Sequence, residues 1–286
     1  PQIWLTLVWH MGLKLPWCWK VGPSNSSERD HLIELIGSHK FPENTLFCGD
    51  AGFTGYEFWN AILEQGHHFL VRVGGNVRLL KNLGHTRQGD GVVCLWPNEA
   101  ARKKQPPIML RLIEVKNELG SMYLVTSVLS DRQLSTSALK RFYPLRWGIE
   151  LHFRAVKQTY GRGKLRSRNA DHALVELEWS LIALTMIQLL SIREQRKIDI
   201  PPERSSVAQA IAAIRHAIDT WNEQVPRSTS MTILLREATK DEYTRNKSKA
   251  ARYQPNFKDK PSTGGPELVT ATVAQKRSYK SLSHAA

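Results

Sequence analysis

The 286-residue sequence predicts an α/β protein whose mixed sheet is flanked by helices. Three observations carry the prediction. Two strand-forming runs open the chain as a hairpin, and strand and helix signals then alternate to about residue 75. The hydrophobic fraction of 41%, with 9 Trp, is enough for a sizeable core and excludes global disorder.

Residues 3–10 (Ile-Trp-Leu-Thr-Leu-Val-Trp-His) are rich in β-branched and aromatic side chains, and 17–21 read as the returning strand. Ser27-Glu28-Arg29-Asp30 fits a capping box that opens a helix through Leu32, Leu35 and Ile36. A short buried strand at 45–49 ends at Asp50, Ala51-Gly52-Phe53 turns, and a helix from Tyr56 stops at Gly66. The next strand is 68–73, followed by Gly74-Gly75. Alternating runs at 92–96, 108–115 and 122–128, with a weaker one at 77–80, predict an all-β insertion. A helix follows at 137–160, ended by Gly161 and Gly163. The most apolar helix is 171–195, where Glu176, Glu178 and Gln188 favour a buried core helix over a membrane span. Pro201-Pro202 marks a boundary before helices at 206–222 and 231–243, and past Arg245 the composition predicts a mobile basic tail. The expected organisation is 1–75, first part of a core; 76–133, insertion; 134–200, second part; 201–246, helical region; 247–286, tail. The chain opens at Pro1 inside a strand, without Met, so a fragment is expected.

Net charge is +14 and the isoelectric point about 9.8, which points to a polyanionic partner, most simply nucleic acid. An anionic membrane surface competes, but no basic amphipathic helix stands alone at either end. Cys18, Cys48 and Cys94 are odd in number and far apart, which argues for a reducing compartment and against a cysteine-held zinc. No secretory signal opens the chain.

The chemistry concentrates at 143–157. At about 100° per residue, Tyr143, Arg146, Glu150, Arg154 and Lys157 fall within roughly a sixth of a helix circumference. Between Lys140 and Arg168 the only acid is Glu150. A lone carboxylate in a field of cations suits a site where cations hold a polyanion and the acid binds a metal; the alternative is an i,i+4 pair with Arg146 or Arg154. Pro144 disfavours helical geometry at Tyr143, which is therefore expected at a kink or helix start. Asp50, at the carboxyl end of a core strand, stands where α/β sites are commonly placed; its alternative is a helix N-cap. Two carboxylates in a basic groove would suit magnesium shared with phosphates, and a metal pair can clamp both oxygens in phosphoryl transfer.

Tyr143-x2-Arg146-x3-Glu150-x6-Lys157, with Gly49-Asp50-Ala51-Gly52-Phe53 upstream, resembles the Y-R-E-K signature and second-aspartate block of transposases of the IS4 type, the group that includes the Tn5 transposase. The resemblance covers roughly residues 1–195. It implies an RNase H-like core, interrupted by a β insertion, with a DDE triad that binds two Mg²⁺ or Mn²⁺ ions. Asp50 would be the second Asp and Glu150 the Glu, both metal ligands, while Tyr143, Arg146 and Lys157 hold phosphates; Arg154 joins them from the stripe. Implied partners are double-stranded DNA, both transposon ends and target, and a second copy in a synaptic homodimer, with no membrane. The implied location is bacterial cytoplasm, at the nucleoid. The family also stacks a flipped base on an insertion aromatic, for which Trp96 and Tyr123 are candidates, although each fits a core role better. The family's first Asp has no counterpart here: Glu28, Asp30, Glu34 and Glu43 stand on or near a helix, not a core strand. The chain is therefore expected to be a DDE transposase by descent but inactive alone. The alternatives are a catalytically dead DNA-binding remnant and an RNase H-like nuclease or resolvase.

Overall fold

The computed structural model describes residues 2–84, 91–117, 120–221, 229–240 and 264–283. In chain order its strands are β1 (Ile3–His10), β2 (Leu15–Pro23), β3 (Leu46–Gly49), β4 (His68–Val73), β5 (Arg78–Lys81), β6 (Val92–Leu95), β7 (Ile108–Asn117), β8 (Gly120–Thr126) and β9 (Glu267–Thr270). Its helices are α1 (Glu28–Ser38), α2 (Tyr56–Glu64), α3 (Asn98–Arg102), α4 (Thr136–Phe142), α5 (Gly148–Arg154), α6 (Ala170–Arg196), α7 (Val207–Asp219), α8 (Met231–Glu237) and α9 (Val273–Ser283). Two compact units result: Ser27–Pro144 with Ala251–Ala286, the sheet unit, and Pro1–Ser26 with Leu145–Ala250, the hairpin unit.

The sheet unit is mixed α/β, as expected. Its seven strands run in the order β3-β4-β8-β7-β6-β5-β9, with β3–β4 and β5–β9 parallel and the other pairs antiparallel. The strands expected as an insertion prolong this sheet, because β8 pairs with β4 on one side and β7 on the other. Ser27 opens α1 as expected: its side chain accepts from the Asp30 N–H. The apolar face of α2 docks on the sheet, where Trp59 stacks on Phe69 with ring centroids 4.9 Å apart. Ile62 of α2 is fully buried, and Leu70 and Leu124, which point to the other face of the sheet, pack with Leu139 of α4.

The expected tail is corrected within its described part. Residues 267–270 form β9, in parallel register with β5 from Arg78↔Glu267 to Lys81↔Thr270, and 273–283 form α9. An open edge on β5 supplies the backbone partners that a lone four-residue strand lacks. Residues 247–263 lie outside the described residues, as do the ends of the helices expected at 206–222 and 231–243.

In the hairpin unit, β1 and β2 pair antiparallel, with an irregularity between Val8 and Trp9. Ala155, Val156, Leu177, Leu181, Leu184 and Ile211 form one buried cluster, against which Ile3, Leu5, Trp19 and Val21 of the hairpin pack. Ala210, Ala213, Leu235 and Ala238 form a second, joined by Ile187 and Leu190 of α6. The expectation of a buried core helix at 171–195 needs correction. α6 is long and apolar enough by composition to cross a membrane, yet only 33% of its most apolar window is buried. It contributes one face to the core and leaves another exposed.

The helix expected at 137–160 is also four segments rather than one. After α4 comes a 3-10 turn, Tyr143–Trp147, then α5, then a π turn, Ala155–Thr159. Pro144 supplies no N–H for an α-helical hydrogen bond, so the ladder tightens there although Tyr143 keeps helical angles (φ −56°, ψ −40°). The boundary between the units falls within this 3-10 turn, after Pro144.

Candidate active site

Asp50 leaves the sheet at the carboxyl end of β3. Its Oδ1 accepts from the Gly52 N–H at 2.8 Å and its carbonyl from the Phe53 N–H at 3.1 Å, closing a tight turn. Trp59 Nε1 donates to the Phe53 carbonyl at 2.9 Å, and Arg29 Nη1 to that of Thr54 at 2.8 Å. Gly49 permits the close fold-back, since a Cβ there would stand 2.9 Å from Phe53 Cβ. Asp50 is exposed and does not cap α2, whose N-cap is Gly55. Loss of solvation, and then the charge of Asp50, push the Glu28 carboxyl above its usual range.

Tyr143 does not stand on the polar stripe. The 3-10 turn takes it into the sheet unit's core, packed with Leu70, Ile113, Leu124 and Leu139. Its buried hydroxyl donates to the Gly49 carbonyl at 3.3 Å. The residue expected to hold a phosphate thus touches the backbone immediately before Asp50.

The remaining stripe residues belong to the hairpin unit. Arg146 Nη1 lies 3.5 Å from Glu150 Oε1, so the i,i+4 pair is present, with Glu150 42% exposed. A pair this exposed contributes roughly 0.3–0.5 kcal/mol and does not lock the carboxylate. Arg154 and Lys157 are exposed, the latter on the π turn. Behind them His152 is buried, its ring 4.9 Å from that of Trp9. Burial lowers its pKa to about 4 against the opposing effect of Gln188, and neither ring nitrogen has a well-formed hydrogen bond among the described residues. A Cβ on Gly148 would meet Trp9 Nε1 at 2.7 Å, so glycine allows α5 to lie against the indole.

Sequence reading missed two organisers. One is Arg29. The other is Glu176, whose carboxylate accepts from the N–H groups of Arg166 and Ser167 and from Ser167 Oγ, at 2.9–3.2 Å. Arg162 lies 3.8 Å away. The two backbone N–H bonds are the largest causes holding the Glu176 carboxyl below its usual range. With the backbone so held, Lys164, Arg166 and Arg168 are exposed at alternate positions while Leu165 and Ser167 are partly buried. The available signal was an acid interrupting an apolar helix beside a basic loop. Of the base-stacking candidates, Trp96 is buried, with Nε1 donating to the Gln105 carbonyl at 3.0 Å, and Tyr123 is partly buried. Among the described residues no three His, Cys, Asp or Glu side chains are placed to hold a metal ion.

The strand-end Asp50 and the cation-flanked Glu150 stand on a mixed α/β fold. The transposase DDE domain model matches residues 5–186, more than half of the chain, and the chain belongs to that family. It is 30% identical over 186 residues, 61% of its length, to the transposase InsG for insertion sequence element IS4 of Escherichia coli (strain K12), covering 40% of that protein. The y4zB protein of Sinorhizobium fredii (strain NBRC 101917 / NGR234) is 28% identical over 150 residues, 49% of this chain and 41% of that one. The chain thus spans about two fifths of the length of these relatives. Among solved structures, a piggyBac transposase synaptic complex with hairpin DNA aligns at TM-score 0.41 and 12% identity, over 79% of this chain and 43% of that one. The DDE transposase family uses divalent metal ions.

Proposed function

We propose that this chain carries the second Asp and the Glu of a DDE DNA transposase, as Asp50 and Glu150, and acts on double-stranded DNA at transposon ends and target. The Y-R-E-K spacing, with a half-buried Glu150 paired to Arg146 and followed by the exposed cations Arg154 and Lys157, is the observation that carries the reading. Both carboxylates offer the hard oxygen donors that Mg²⁺ or Mn²⁺ takes. A bound ion pair would supply charge neutralisation at the attacking and leaving oxygens. The chain's own residues then have distinct tasks. The Gly52 N–H orients Asp50 Oδ1, and the Tyr143 hydroxyl steadies the strand end beside it. Arg146, when its weak pair with Glu150 opens, offers a planar fork to a phosphate, and Arg154 and Lys157 add positive charge. In the reading put forward here the working species is a homodimer in the bacterial cytoplasm, at the nucleoid. Among the described residues the acids closest to Asp50 in sequence lie on α1, on α2 or in loops, so in this reading Asp50 and Glu150 are the two carboxylates that residues 1–286 contribute, and the chain binds DNA without cutting it.

The test pairs Mn²⁺ binding, followed by loss of the free-ion electron paramagnetic resonance signal, with nicking of a labelled transposon-end duplex. Asp50→Ala and Glu150→Ala should each weaken Mn²⁺ binding in the presence of DNA. Unchanged binding in both variants would remove the metal assignment. Mn²⁺-dependent nicking by residues 1–286, abolished by Glu150→Ala, would show that a third carboxylate comes from within the chain.

A further inference from the structure

Helix α5, which carries Glu150, is seven residues long and lies between a 3-10 turn and a π turn. A helix of under two turns does not hold itself in place, so its position is set by what it docks against. In the hairpin unit that neighbour is β1, and Trp9 makes the contact. Its indole lies 4.9 Å, ring to ring, from His152, and its Nε1 stands where a Cβ on Gly148 would come within 2.7 Å. Gly148 and His152 are about one turn apart and share a helix face, whereas Glu150, two residues from each, lies roughly 160° round the helix from both. The indole therefore spans the docked face of the turn that presents the carboxylate. The register of β1 against β2 slips between Val8 and Trp9, the kind of irregularity that re-aims a side chain. Trp9 Nε1 is buried there without a hydrogen-bond partner among the described residues, which is unusual for an indole. The contact uses the shape of the ring, not its polarity.

We propose that Trp9 is the positioning residue for Glu150. Seated in the gap that Gly148 leaves, the indole sets the distance of α5 from β1 and with it the place of the carboxylate. The inference rests on Glu150 being a metal ligand, as proposed above. Glycine weakens a helix, so its presence in so short a one calls for a reason, and the indole supplies it. A methyl group at 148 would drive the helix off the ring by about 1 Å before ordinary contact was reached. The indole is the less free to yield. Its strand is paired with β2 at Val8, Trp9 and His10, and its ring lies against His152, which is 2% exposed. A displacement of about 1 Å exceeds the roughly 0.5 Å within which the groups of a functional site must be held.

The test titrates the full chain with Mn²⁺ in the presence of a transposon-end duplex and follows the free-ion electron paramagnetic resonance signal. Gly148→Ala should bind Mn²⁺ about tenfold more weakly, as when a contact that orients a ligand is removed, with unchanged circular dichroism. Adding Trp9→Leu to Gly148→Ala should recover most of that loss, because leucine has no atom at the Nε1 position. Neither substitution alters charge, so general attraction for the ion stays the same. The decisive variant combines Gly148→Ala with Glu150→Ala: with no carboxylate left to place, the loss caused by Gly148→Ala should vanish. Where Gly148→Ala does not fold, Trp9→Leu alone withdraws the support; it should weaken binding and lose its effect in the same Glu150→Ala background. Wild-type binding by Gly148→Ala and Trp9→Leu, alongside weakened binding by Glu150→Ala, would overturn the proposal and leave the metal assignment standing. So would losses that add to that of Glu150→Ala, which mean general loosening, or no recovery in the Gly148/Trp9 double variant. Unchanged binding by Glu150→Ala itself would remove Glu150 from the metal site, and this proposal with it.

Discussion

At the scale of single residues, the most informative side chain is Tyr143, because its sequence position suggests one task and its surroundings another. A buried hydroxyl that donates to the Gly49 carbonyl contributes about 1 kcal/mol. Tyr143→Phe should therefore lower stability by about that amount while leaving the salt dependence of DNA binding unchanged, measured by urea unfolding and by fluorescence anisotropy. A changed salt slope would return the tyrosine to phosphate contact. His152 makes the complementary case. Its ring fills space against Trp9, but its two nitrogens are buried without well-formed hydrogen bonds. His152→Phe keeps the packing and removes the polar burden, so it should be neutral or stabilising, whereas His152→Ala should cost about 2–4 kcal/mol through the cavity left behind. Equal losses in both would mean that the imidazole has a polar partner that matters.

At the scale of elements, local chemistry was legible and long-range pairing was not. Ser27 with Asp30 announced α1, and alternating runs located β6, β7 and β8, because both signals are written in neighbouring residues. The strand Glu267–Thr270 was hidden because its cause is the edge of β5, almost two hundred residues away. The stripe at 143–157 was drawn on a uniform helix. The switch from 3-10 to α to π winding breaks that assumption, and only the break at Pro144 had a sequence signal. Asp50 and Glu150 are proposed from motif spacing, whereas Glu176 and Arg29 act through backbone contacts that no spacing reveals. Helix α6 carries a prediction of its own. Glu194, buried near its end, meets Lys197 at 2.6 Å, Arg193 at 3.2 Å and Arg236 of α8 at 3.3 Å. Its hydrogen bond from Lys197, foremost, holds the carboxyl below its ordinary value of 4.5. A folded-state pKa below the unfolded one gives stability that is present above pH 4.5 and lost as pH falls through the depressed value. Melting curves should accordingly drop in acid, and Glu194→Gln should melt lower at pH 7 with a shallower acid loss. An unaltered acid limb would place the responsible carboxylate elsewhere.

At the scale of the whole molecule, the charge of +14 favours a polyanion such as the proposed DNA without saying where it would lie. Two exposed basic triads can be compared because each carries three cations. Lys164, Arg166 and Arg168 stand on the loop that Glu176 holds, close in sequence to Arg154 and Lys157; Arg102, Lys103 and Lys104 end α3 in the sheet unit. Removing either triad changes the net charge equally, so a general electrostatic effect would weaken binding equally. Contacts differ from general attraction in the counterions they release: log K falls with log salt by about 0.9 for each phosphate neutralised. If the Glu176-held loop lies on the DNA backbone, alanine at 164, 166 and 168 should flatten the slope by about 2.7, three contacts' worth. Alanine at 102, 103 and 104 should shift affinity modestly and leave the slope nearly intact. Glu176→Ala should fall between them, because the three cations remain but their backbone is no longer fixed, and ordering it on binding carries an entropic cost. Anisotropy titrations of a duplex at several salt concentrations decide the matter. Equal slope changes for the two triads would mean that DNA is held by overall charge alone, and a larger change for the α3 triad would move the DNA path to the sheet unit.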